Sequence, residues 1–167
     1  CKKLDYRLFH NHHSIELTLE LFDWGDPGFK TVNNGIRQLV FNTVAKSNNL
    51  KGFIFTLVWA FDDQRDWDYV EDLKTKFKSN GWEFYIVELY APLEIRIKRD
   101  QTPNRLLHKP SKRNPGASQK GLIGLEGKYQ MSTDGQTIKE PNYLFIDNSN
   151  LSAEATADLI IDHFQLG

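Results

Sequence analysis

The sequence predicts an α/β protein: a three-layer parallel sheet with helices on both faces. Three observations carry that reading. Helical and extended periodicities alternate along the chain. One extended stretch, Gly52 to Ala60, is apolar almost throughout, the pattern of a strand covered on both faces. A chain of 167 residues with 40% hydrophobic and 26% charged side chains has the size and composition of one core. Strands that alternate with helices pair in parallel through right-handed crossovers.

The elements follow in order. The opening Cys1-Lys2-Lys3-Leu4-Asp5 reads as a polar helix tail, and its lack of a Met suggests that something precedes it. Tyr6 to His10 is a short strand, and His13 to Phe22 carries Ile15, Leu19 and Phe22 at helical spacing. A turn-rich loop, Asp23 to Gly28, leads into a long helix from Phe29 to Ser47, weakened once by Gly35. After the buried strand Gly52 to Ala60, Asp63 to Ser79 returns to helical period and stops at Asn80-Gly81, a left-handed cap. Trp82 to Leu89 is the third strand, and Pro92 opens a helix that runs to about Arg99. Residues 100 to 118 lose all period and hold Pro103, Pro110 and Pro115, which predicts one long loop. A glycine-weakened helix near Gln119 to Met131, a strand at Asn142 to Asp147 and a helix capped by Ser152 complete the chain. The whole of 1–167 reads as one domain, with a lid insertion at about 100–131.

Composition excludes several classes. A formal charge of −1 argues against a dedicated nucleic-acid binder, which needs a basic surplus or a basic face. The longest apolar run, Gly52 to Phe61, is half the length of a membrane span. A single cysteine, Cys1, leaves no internal disulfide, and with no leader-like start the expected location is the cytoplasm.

Ligands of open parallel sheets bind beyond the carboxyl ends of the strands. Those ends read Phe9-His10-Asn11-His12-His13, Phe61-Asp62-Asp63-Gln64, Glu88-Leu89-Tyr90 and Ile146-Asp147-Asn148-Ser149-Asn150; the opposite ends are ordinary. Basic residues are also uneven. Between Arg96 and Arg113 there are seven Lys or Arg against one acid, Asp100, which leaves 14 basic and 21 acidic residues elsewhere. A cationic, proline-bearing segment suits a lid over an anionic substrate; the plain alternative is a solvated basic loop. No phosphate-cradling turn of the form G-x-x-x-x-G-K-[ST] is present. The nearest string, Gly121 to Lys128, has the wrong spacing, lacks the hydroxyl residue and follows no strand.

On Phe9-His10-Asn11-His12, Ile54 to Asp62 and Asn104 to Arg113, the chain resembles P-loop kinases of the group containing shikimate kinase, gluconate kinase and adenylate kinase. More narrowly it is similar to shikimate-kinase-like ATPases, a likeness that spans Tyr6 to Phe164. The resemblance implies a P-loop NTPase sheet whose first strand and phosphate loop are missing from this chain. It implies a phosphotransferase using ATP and Mg2+, which moves a phosphoryl group to the hydroxyl of a small molecule. A non-catalytic nucleotide-binding sensor or adaptor of the same fold is the alternative.

The resemblance also suggests roles. Where many such kinases carry a carboxylate this chain has His10-Asn11-His12, so His12, then His10, would serve as base, with Asn11 touching the acceptor. The histidines could equally only hydrogen-bond the acceptor or cap the next helix, and a zinc site lacks a third ligand at credible spacing. Arg37 resembles the arginine that holds a substrate carboxylate, with Val40 where a Glu would stand; a solvent-facing arginine is its alternative. Asp62 stands where a magnesium-associated carboxylate or acceptor contact would sit, and Asp63 reads as a helix cap. Arg105 and Arg113, then Lys109 and Lys112, would contact phosphate, and Asn148 to Asn150 match a base-cradling loop.

Overall fold

A computed structural model describes residues 2–136 and 138–167; Cys1, and with it the start of the expected helix tail, lies outside the described residues. Lys2–Leu4 form a 3-10 turn. Strand β1 (Arg7–His10) runs directly into α1 (Asn11–Leu19), and α2 (Pro27–Ala45) follows. Next come β2 (Phe53–Thr56), α3 (Gln64–Lys78), β3 (Ile86–Tyr90) and α4 (Leu93–Asp100). Then α5 (Pro103–His108), a 3-10 turn at Pro110–Lys112 and α6 (Pro115–Lys128) precede β4 (Tyr143–Asp147) and α7 (Ala153–Phe164).

The alternating order and the parallel pairing are present, but the three-layer sheet is not. β1 pairs with β2 in the register Arg7↔Phe53 to His10↔Thr56, and β3 pairs with β4 from Ile86↔Tyr143 to Tyr90↔Asp147. These are two separate two-stranded parallel sheets, with no ladder between β2 and β3 among the described residues. The P-loop NTPase sheet read from the sequence is therefore corrected. The physical reason lies in β2 and β3. The apolar run from Gly52 keeps ladder geometry for four residues only, and Phe53, Ile54 and Phe55 are half-buried rather than covered on both faces. Apolar pattern reports that a segment is extended, not which segment it pairs with.

The core lies between α2, α3 and the β1–β2 sheet. Phe41, Ala45, Leu73 and Phe77 are buried, and Phe9, Phe53, Phe55 and Trp82 pack around them. Phe41 is wholly buried, edge-on to Phe55 at 4.9 Å between ring centroids. Trp82 donates its indole N–H to the Ala45 carbonyl at 2.9 Å, which satisfies the polar edge of a mostly apolar ring.

Helix boundaries have identifiable chemistry. Asp26 caps α2 by accepting the Gly28 N–H at 2.6 Å, and Pro27 takes the first helical position, so the helix starts two residues before Phe29. Asp63 caps α3 and Ser152 caps α7, both as expected. Gly81 follows α3 with φ +83°, a left-handed conformation that glycine adopts without a Cβ clash.

The expected loop at 100–118 is a second correction, because it is mostly helical. Pro103, Pro110 and Pro115 each occupy the opening of a helical piece, where a missing N–H costs nothing. Gly121 to Lys128 is the body of α6. Among the described residues no helix is long and apolar enough to cross a membrane.

Candidate functional site

The polar cluster sits where β1 becomes α1. His10, the last residue of β1, stays extended (φ −78°, ψ 151°) while Asn11 already begins the helix, two residues earlier than periodicity indicates. That shift puts His12 and Glu16 at i and i+4 of one helix, on the same face. The end of the sheet is locked beneath them. Asn11 donates its backbone N–H to the Thr56 hydroxyl at 3.1 Å, and Thr56 in turn donates to the Asn11 side-chain oxygen at 3.4 Å.

The Nδ1 of His12 lies 2.7 Å from Glu16 Oε1, and His12 is 5% exposed. A carboxylate only accepts, so the proton of that bond sits on Nδ1 and the lone pair on Nε2. Glu16 also accepts from Ser111: the hydroxyl reaches Oε1 at 2.6 Å and the backbone N–H reaches Oε2 at 2.9 Å. Burial pushes the Glu16 carboxyl up, but the bonds from Ser111 and His12 outweigh it and hold the group below its usual range. Burial lowers His12; the hydrogen bond to Glu16 works against that, while Lys109 and Lys112 add to it.

Around this pair stand further nitrogen bases, His10 and His13 from the β1–α1 junction and His108 and Lys109 from the 103–113 segment. The His10 and His13 rings lie 3.7 Å apart and His108 is 6.4 Å from His10. His10 Nδ1 is sealed from solvent with no hydrogen-bond partner. Burial, then the neighbouring His13 and Lys109, push His10 down to about 4. Lys109 is half-buried and makes no ion pair among the described residues. Burial, with Arg105 and Lys112 adding repulsion, pushes its ammonium down to about 8. A cation that is desolvated, crowded by like charge and unpaired is stabilised by an anion.

Other expected site residues are occupied elsewhere. Arg37 Nε donates to Ser14 Oγ at 2.9 Å, and its other nitrogen reaches the Asn11 carbonyl at 3.3 Å. The guanidinium also lies 5.7 Å from the Phe55 ring centroid, so it clamps α2 to the start of α1. Arg105 Nε meets Asp100 Oδ1 at 2.7 Å, off the hydrogen-bonding axis, and Asp100 is fully buried. Arg105 thereby anchors α5 to the end of α4. Arg113 is exposed and reaches only the Leu106 carbonyl at 3.4 Å. Asp62 accepts the Gln130 N–H at 2.9 Å, while Phe61 N–H donates to the Gln130 carbonyl at 2.8 Å; together they fasten the chain just past α6 to the turn that precedes α3. Asn148 accepts from Arg99 through both side chain and backbone, at 2.8 and 2.7 Å, and Asn150 is exposed.

The structure thus gathers His10, His12, Lys109 and Lys112, and leaves Arg37, Asp62, Asn148 and Arg113 outside that cluster. Glu16, Ser111, His13 and His108 belong to it, and sequence reasoning misses them as site residues. The His12-x-x-x-Glu16 spacing is readable, but only with the helix start placed at Asn11.

The described residues supply no complete site for ATP with Mg2+ by themselves. Among the described residues no group of three His, Cys, Asp or Glu side chains could hold a metal ion, and the Asp62 carboxylate is engaged by a backbone N–H. The glycine-bearing stretch is helical and offers no turn of converging amides for a triphosphate. No family model, curated protein or solved structure matches this chain.

Proposed function

We propose that the chain binds a small anionic compound bearing a hydroxyl, between the end of β1 and the 109–112 segment, and that His12 takes the proton of that hydroxyl as it is phosphorylated. The observation that carries this reading is the half-buried Lys109 ammonium, without an ion-pair partner among the described residues and close enough to a carboxylate-held imidazole to repel its protonated form. Lys109 and Lys112 hold the anion; His12 Nε2, whose lone pair is left free by the Glu16 bond, accepts the proton. ATP with Mg2+ is the donor the resemblance implies. Because the described residues form no cradle for it, the steps assigned to this chain all lie on the acceptor side.

The second reading, a binding module without transfer, is favoured by one observation: His12 is 5% exposed, so a bound acceptor reaches it only after the segment above it moves. A screen of phosphate- and carboxylate-bearing alcohols with labelled ATP, on wild type and Lys109→Met, separates the two. Transfer to at least one acceptor that Lys109→Met loses supports the kinase reading. Binding of acceptors with no transfer leaves the module, and neither binding nor transfer removes both.

A further inference from the structure

We propose that Glu16 is a positioning residue whose carboxylate holds the His12 imidazole in one tautomer and, through Ser111, makes that orientation conditional on closure of the 109–112 segment. The inference rests on the reading of His12 as proton acceptor, but its geometry does not require phosphoryl transfer. Three donors converge on one carboxylate: His12 Nδ1 at 2.7 Å, Ser111 Oγ at 2.6 Å and Ser111 N–H at 2.9 Å. Two of the three come from a residue 95 positions away in sequence. Among the described residues these are the hydrogen bonds that tie α1 to the 103–113 segment.

The coupling follows from where those donors reside. With the segment down, Glu16 is charged, three-fold bonded and unable to turn, so His12 Nδ1–H is held and Nε2 keeps its lone pair. When the segment lifts, two donors leave with it and water replaces them, and the carboxylate can rotate away from the ring. The burial that chiefly holds His12 down, and the Lys109 and Lys112 charges that add to it, are lost in the same movement. Glu16 faces the imidazole from its own helix, Lys109 and Lys112 from the segment and His10 from the helix start. Opening therefore removes positive charge and leaves the negative one, and the ring becomes easier to protonate. A neutral, aligned base therefore belongs to the closed arrangement, which re-forms over an acceptor admitted while the segment is lifted. A tie with no bearing on the imidazole would need neither the charge of Glu16 nor its contact with Nδ1.

Long-range 1H–15N spectra of the full chain, recorded without substrate, test this directly. The wild type should show His12 protonated on Nδ1. Glu16→Ala should move the proton to Nε2 and accelerate hydrogen exchange of the Ser111 amide roughly tenfold or more, the scale of losing a bond to a charged acceptor. Glu16→Gln keeps the shape should the alanine variant fail to fold; there the His12 titration midpoint should fall, because the facing negative charge is gone. A wild-type ring protonated on Nε2, or a midpoint and an exchange rate indifferent to both substitutions, overturns the proposal. Spectra as expected with no transfer to any acceptor would defeat only the function proposed above.

Discussion

Replacing Lys109 by Met should make the protein more stable while abolishing anion binding. Lys109 keeps its charge at pH 7 although its ammonium is pushed from 10.5 down to about 8. A gap of about two and a half units corresponds to a ceiling of about 3 kcal/mol, of which solvent screening of a partly exposed side chain leaves about 1–2 kcal/mol. Met fills a similar volume without the charge, and the backbone bond from Lys109 N–H to the Arg105 carbonyl is kept. The sign with pH is diagnostic. Between about 8 and 10.5 the unfolded chain holds a proton on Lys109 that the folded chain has released, so wild-type stability climbs over that window. Lys109→Met should lack that climb, and the two curves should converge above it. Urea unfolding at pH 7, 8, 9 and 10, with and without inorganic phosphate, reads both effects. A destabilised variant, parallel pH curves, or phosphate stabilising both proteins equally would refute the reasoning.

Three further outcomes follow from the packing. Arg37→Ala should cost about 1–3 kcal/mol, since Ser14 and the Asn11 carbonyl lose their donor, yet leave phosphate affinity unchanged in calorimetric titration. Phe41→Ala should cost about 3–5 kcal/mol in denaturant unfolding, because it empties the centre of the aromatic cluster. Burial, with the nearby Glu88 charge, pushes the Tyr143 phenol up to about 12, and Glu88 accepts from it at 2.7 Å. The folded chain keeps that proton after the unfolded chain has lost it, so stability falls as pH rises from 10 to 12. In Glu88→Gln the ultraviolet titration of Tyr143 should move back toward 10 and that loss should shrink.

Much of the local structure is legible in the sequence. Asp63 and Ser152 mark their helices by the hydroxyl or carboxylate they offer to a free N–H, and the cap after α3 is marked by Gly81. Pairing is not legible. The Gly52–Phe61 run declares an apolar strand, but whether β2 bonds on one edge or both depends on partners far along the chain. Prolines mislead in one place: Pro103, Pro110 and Pro115 read as breakers, whereas each serves as a helix opener. The site is half legible. His10, His12, Lys109 and Lys112 stand out by type and clustering. Glu16 and Ser111 do not, because the two lie 95 positions apart and α1 starts two residues before its apolar stripe. Spacing overvalues the arginines for the same reason: Arg37 and Arg105 are spent on internal carbonyl, hydroxyl and carboxylate partners that only the folded chain brings to them.

The most direct test is a phosphate titration of the five histidine rings by NMR. An anion seated at Lys109 should raise the midpoints of His10, His12 and His13 together. Midpoints of these three rings that ignore phosphate, or that move as much in Lys109→Met as in the wild type, would show that the end of β1 holds no anion site.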